Sequence, residues 1–134
     1  MTWIKQTQNA FYNFFAPDIA ADADQKIEVV FPTVEALNPS FAATQPVDIK
    51  RQCTVIDLGA LTGACTLDAT ISDHVGIGAV VHVKVASDTS ARALTLGTGF
   101  TAPAIAGVIS KTKVQSFIYN GTTFLPLGAS LQID

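Results

Sequence analysis

The chain has 134 residues, 49% of them hydrophobic and only 14% charged, with a formal net charge of −3. That length holds one domain burying roughly 65–70% of its unfolded surface and argues against two independent cores. The acidic balance supplies no basic footprint for nucleic acid or an anionic membrane, and a charged fraction well below the ~25% of ordinary soluble domains leaves little to keep copies apart.

No run approaches the ~18 uninterrupted apolar residues of a membrane span; the stretch from Val75 to Val81 stops at His82. Met1-Thr-Trp-Ile-Lys lacks the basic start and apolar stretch of a signal peptide. The expectation is a product made in a cytosol. There Cys53 and Cys65 are free buried thiols, because cysteine commonly packs as a small core residue. A disulfide between them requires Cα atoms within about 7 Å.

Residues 1–16 hold Trp3, Ile4, Phe11, Tyr12, Phe14 and Phe15, a concentration of rings ended by Pro17. The helical spacing of Ile4, Phe11 and Phe15 is weak among so many Asn and Gln residues. The segment reads as an apolar arm that packs on a neighbour, since chain ends are poorly held unless docked; the simpler alternative is that these rings plug their own core. Asp18 to Asp24 is acidic but lacks the central Gly and closing Glu of a calcium loop, so it reads as linker. These features give an arm and linker over 1–25 and a β domain over 26–134.

Lys26-Ile-Glu-Val-Val-Phe31 predicts a short strand stopped by Pro32. Residues 32–46, with Pro32, Pro39 and Pro46, predict loops and turns. Strand resumes from Val47 to Leu58, Gly59 and Gly63 bracket a turn, and Thr66 to Ile71 alternates with Leu67, Ala69 and Ile71 inward. Ser72 to Gly76 is a turn. Ala79 to Val85 is the clearest strand, with Val81, Val83 and Val85 alternating against His82 and Lys84. Ala91 to Leu96 makes another, ended by Gly97-Thr-Gly99.

The strongest local signal is Lys113 to Tyr119 and Thr122 to Leu127 flanking Asn120-Gly121, which predicts a hairpin closed by a two-residue type I′ turn. Tyr119 then faces Thr122 and Phe117 faces Phe124. One side of the ribbon carries Phe117, Tyr119 and Phe124, the other Val114, Ile118, Leu125 and Leu127. Both sides are apolar, so the second requires a cover: another sheet, the arm, or a neighbouring subunit. Pro126 suits an edge strand. Many short strands between turn signals and no amphipathic helix after residue 20 predict an all-β fold, an antiparallel β-sandwich or jelly-roll-like barrel with an apolar N-terminal arm.

Catalytic and metal-binding patterns do not emerge from the spacing. His74 and His82 stand outside any HxxxH or HExxH arrangement, and Gly97-Thr-Gly-Phe100 lacks the rest of a dinucleotide fingerprint. Asp73 and Asp88 have local roles as turn formers. Asn120-Gly-Thr122 matches a glycosylation sequon, but the hairpin turn accounts for it. The expectation is therefore no catalytic residue, no cofactor and no metal.

From about Thr66 onward, Val83 to Asp88, Ala91 to Phe100, Ala106 to Lys113 and Phe117 to Phe124 resemble a recurrent module in structural proteins of tailed bacteriophages, among them capsid decoration, head-fibre and tail-associated proteins. The resemblance covers the C-terminal half. It implies a β-sandwich, self-association and no catalysis. Together with the composition it leads to the expectation of a virion structural protein made in the host cytoplasm, most readily a capsid decoration or auxiliary protein. Its partners are then copies of itself, a trimer among the states envisaged, and other virion subunits such as the major capsid protein, with no nucleic acid and no membrane. Trp3, Phe11, Phe14, Phe15, Phe117, Tyr119 and Phe124 are the candidate interface residues. The alternative is a tail-associated carbohydrate- or receptor-binding β-sandwich module, which requires Tyr119 or Trp3 exposed beside polar groups.

Overall fold

The computed structural model describes residues 34–134, and the predicted strand over Lys26–Phe31 and the arm lie outside them. Residues Pro32–Asp134 form a compact unit. Its described residues are all-β, with nine strands and no helix: β1 Glu35–Leu37, β2 Thr44–Ile49, β3 Cys53–Leu61, β4 Cys65–Ile71, β5 Val80–Ser87, β6 Leu94–Leu96, β7 Thr112–Tyr119, β8 Phe124–Pro126 and β9 Leu131–Gln132.

Through β7 the strands divide by parity. A first sheet has the order β1-β3-β5-β7-β8, with β9 also on β7, and a second has the order β2-β4-β6. From β1 to β6 the chain therefore passes alternately between sheets, each passage laying a strand beside the one two earlier. Strands laid down this way run in the same direction, and the pairs β1·β3, β3·β5, β2·β4 and β4·β6 are all parallel. Each intervening strand in the other sheet supplies the crossover that a parallel pair requires. Antiparallel pairing enters with β7, which lies against β5, β8 and β9. The expected antiparallel arrangement is thus corrected for the first six strands: alternation along a strand sets its faces and carries no information about the direction of its neighbours.

Residues 50–52 take the chain from one sheet to the other, which splits the predicted strand Val47 to Leu58 into β2 and β3. Gln52 fixes this crossing. Its carbonyl accepts the Val80 N–H at 2.8 Å, and its side-chain oxygen accepts the Gly76 N–H at 2.6 Å. Likewise β3 continues through Gly59, where a turn is predicted. A bulge lies between Asp57 and Ala60, with Gly59 at φ 63° and its N–H donated to Asp57 Oδ1 at 3.0 Å. The extra residue resets the alternation, so Leu58 and Leu61 both point inward.

One buried cluster draws on both sheets. Val47 and Ile49 of β2, Leu67 and Ala69 of β4, and Leu94 and Leu96 of β6 join Ile56 of β3, Val81, Val83 and Val85 of β5, Phe117 of β7 and Phe124 of β8. Each of the Val, Leu, Ile and Phe side chains contributes about 1.5–3 kcal/mol by leaving water. Phe100 closes the cluster with its ring edge-on to Phe117 at 5.2 Å and tilted to Phe124 at 5.8 Å, contacts worth a further ~0.5–1.5 kcal/mol each. The backbone joins there too, because Phe124 donates to Gly99 O and Thr101 donates to Phe124 O, both at 2.9 Å.

The β7–β8 hairpin has a longer loop than predicted. Tyr119 pairs with Phe124, Ile118 with Leu125 and Phe117 with Pro126, so residues 120–123 form the loop and the register moves by two. Asn120 causes this: its Oδ1 accepts the N–H groups of both Thr122 and Thr123 at 2.9 Å, an Asx arrangement that competes with a two-residue turn. A shift of two leaves every side chain on its predicted face.

Candidate assembly surface

The two sheets present unlike outer faces. On the second sheet the outward positions are Thr44, Pro46 and Asp48 of β2, Thr66, Asp68 and Thr70 of β4, and Thr95 of β6, with Thr44, Thr66 and Thr95 in one register row. This is the polar face expected of a sheet that meets water. The edge is protected as well, since Pro46 has no N–H to offer a further strand.

The outer face of the first sheet is largely apolar. Register places Cys53, Val80, Ile118 and Leu125 in one row across β3, β5, β7 and β8. A second row runs through Val55, His82 and Ser116 to Leu127, whose N–H donates to Ser116 O at 2.8 Å. A third runs through Asp57, Lys84 and Val114 to Leu131. Ile133 extends the outermost column beside Thr112. Leu127, Leu131 and Ile133 are 53%, 65% and 53% exposed, so three large aliphatic side chains stand in one column along the β8–β9 edge. Scattered exposed leucines are ordinary, whereas a contiguous column beside a largely apolar sheet face is the candidate for an interaction surface.

The polar groups on this face satisfy one another. His82 Nδ1 lies 2.8 Å from Ser116 Oγ, and Lys84 Nζ donates to Asp57 Oδ2 at 3.3 Å. Gln115, on the inward side, holds the corner between β8 and β9 by donating to Gly128 O at 2.6 Å.

The sequence-predicted interface residues divide into three groups. Trp3, Phe11, Phe14 and Phe15 lie outside the described residues. Phe117 and Phe124 have zero exposure in the domain's own core, so as folded their rings are closed to a partner. Tyr119 is partly buried against the same core, its ring 5.1 Å from Phe124 and its hydroxyl donated to Gly121 O at 2.9 Å. The predicted second side of the hairpin, with Val114, Ile118, Leu125 and Leu127, is the one that faces out. Leu131 and Ile133 were missed, although their alternation with Gln132 and Asp134 is itself a strand signal.

Among the described residues, clefts indent the surface at two places of note. One, of about 300 Å³, is lined by Asp48, Ile49, Lys50, Thr70, Ser72 and His74; His74 meets Ser72 through its backbone N–H, 3.4 Å from Ser72 Oγ. The other, of about 260 Å³, lies among Ala102, Pro103, Gln115, Phe117, Pro126 and Ala129. Cys53 and Cys65 are free thiols, Cys65 being buried and its thiol pushed up by desolvation. Among the described residues no group of three or more His, Cys, Asp or Glu side chains is placed to hold a metal ion, and no helix is long and apolar enough to cross a membrane.

No protein-family model matches this chain, and a search of curated proteins finds no match.

Proposed function

We propose that this protein is a non-enzymatic structural subunit of a tailed-bacteriophage particle, a capsid decoration or auxiliary protein that works by self-association and docking on neighbouring subunits. The observation that carries this reading is the contrast between the outer faces, one polar and one apolar with Leu127, Leu131 and Ile133 exposed. The low charged fraction supports it, because a chain with little charge is suited to being held among other subunits. The resemblance of the C-terminal half to phage structural modules supplies the setting. Two sheets sharing one buried cluster support a β-sandwich reading, here wound in parallel through its first six strands.

In this account the domain is a rigid carrier for a sheet face, and the aromatic segment over residues 1–16 is a second anchor. Stable contacts between subunits bury more than ~1,000 Å² around apolar anchors, which an aliphatic column backed by a sheet can supply. The test is the content of purified particles. Replacing Leu127 and Leu131 together by Lys, or deleting residues 1–16, leaves the domain folded and removes the chain from particles. Incorporation at the unaltered level by both variants refutes the reading.

A further inference from the structure

We infer that the outer face of the first sheet seats a second copy of this chain across a two-fold axis, with Asp57 of each copy meeting Lys84 of the other. The inference rests on the structural reading above and names the partner of that surface.

Charge is the first argument. Among the described outward strand positions of this face, Asp57 and Lys84 are the residues with formal charges, and they are register neighbours on β3 and β5, 3.3 Å apart. A two-fold contact presents the same patch from both sides. An axis passing between the pair sets each carboxylate against the other copy's ammonium, so the patch is complementary to itself. The second sheet has no such register pair. Its outward strand positions carry Asp48 and Asp68, and the nearest cation, Lys50, lies past the end of β2.

Desolvation is the second argument. A polar group costs free energy on burial unless it is hydrogen-bonded, and the internal pairs His82 with Ser116 and Lys84 with Asp57 keep their partners when water leaves. The remaining outward positions from Cys53 and Val55 across to Leu125, Leu127 and Leu131 are mostly apolar. The polar exception, Thr112 at the edge, is occupied by Asp134, whose Oδ2 accepts from its Oγ1 at 3.1 Å, so the centre of the face offers a strongly charged partner little to select it by.

The test is sedimentation velocity on the full chain, with fold checked by circular dichroism. The unaltered chain is expected to sediment as a pair. Lys84→Glu and Asp57→Lys each set like charges together and each weaken pairing at least tenfold, while a mixture of the two variants regains the mass of a pair because every contact is again opposite in sign. Leu131→Glu also weakens pairing and is not rescued by mixing with either. The inference is overturned by a single chain or a three-chain species for the unaltered protein, by single variants that pair as tightly as the unaltered chain, or by a mixture that stays apart. Asp57→Lys also gives up the acceptor of the Gly59 N–H; if it does not fold, Lys84→Glu and Leu131→Glu decide the outcome alone. Incorporation into particles by a chain that does not pair overturns this inference and leaves the structural reading standing, whereas a pair that is absent from particles does the reverse.

Discussion

Lys84 of β5 and Asp57 of β3 lie side by side with Nζ 3.3 Å from Oδ2, on a sheet face that otherwise ends in Leu125, Leu127 and Leu131. Their side chains are 49% and 38% exposed, and an exposed pair of this kind stabilises a fold by no more than about 1 kcal/mol. Its significance lies in what it would meet when the face is covered.

The core and the outer face respond differently to truncation. Phe117→Ala and Phe124→Ala remove fully buried rings and cost about 3–5 kcal/mol, read from urea unfolding. Leu131→Ala, on the exposed column, changes stability by less than about 0.5 kcal/mol at concentrations where the chain is alone. Equal losses at both places would show that Leu131 belongs to the chain's own core.

Gly107 and Gly59 separate crowding from backbone conformation. A Cβ at Gly107 would run into Arg92 O and Ser87 Oγ, within a loop where Ser87 Oγ accepts the Arg92 N–H at 3.1 Å. Gly107→Ala therefore costs about 1–3 kcal/mol or more through forced backbone movement. At Gly59 a Cβ meets nothing within 4 Å and only the φ of +63° resists, so Gly59→Ala costs about 1–2 kcal/mol. Thermal unfolding in which the two losses are reversed would contradict the placement of the residue 107 loop.

Thr54 is expected to lower stability as it stands. Its hydroxyl has zero exposure and no partner among the described residues, as is also true of Glu35 Oε2 and Gln45 Oε1. An unpaired buried hydroxyl costs about 1–3 kcal/mol. Thr54→Val, nearly identical in shape, raises stability by about 1 kcal/mol. A loss instead would reveal a hydrogen bond to that hydroxyl.

Acid acts through two carboxyls. The Arg92 side chain, then the Ser90 N–H, holds Asp88 below the usual carboxylate range, and the Thr112 N–H does the same for Asp134. Both have depressed folded-state values, so the unfolded chain binds their protons first as pH falls. Their contribution is fully present above the ordinary Asp value of ~3.9 and is lost as pH drops through the lower folded values. Asp88→Asn and Asp134→Asn flatten the fall in stability below about pH 4; an unchanged acid limb in the double variant would show that neither group is linked to folding.

Much of this arrangement was legible in the residues, and the limits were physical. Val81, Val83 and Val85 declare an inward face because alternation is a local property, and Phe117, Tyr119, Phe124 against Val114, Ile118, Leu125 were sorted correctly even though the loop register was not. That register turned on Asn120 Oδ1 capturing two N–H groups, a choice that Asn-Gly alone does not reveal. β1 was missed because Glu35-Ala-Leu37 between prolines has no pattern of its own and becomes a strand only by lying beside Thr54 to Ile56. The parallel winding was hidden for the same reason: pairing partners are remote in sequence. The candidate surface was half visible, since an apolar second face of the hairpin was expected, but aromatic content pointed to Phe117 and Phe124, which the core claims.

The most direct measurement is side-chain oxidation footprinting of the full chain, free at low concentration and then in its assembled form. The account predicts protection at Val114, Leu127, Leu131 and Ile133 on assembly, with Val47 and Leu67 unreactive in both states and no new protection around Pro46 on the second sheet. Protection confined to the second sheet, or unchanged reactivity along the Leu127 to Ile133 column, would contradict it.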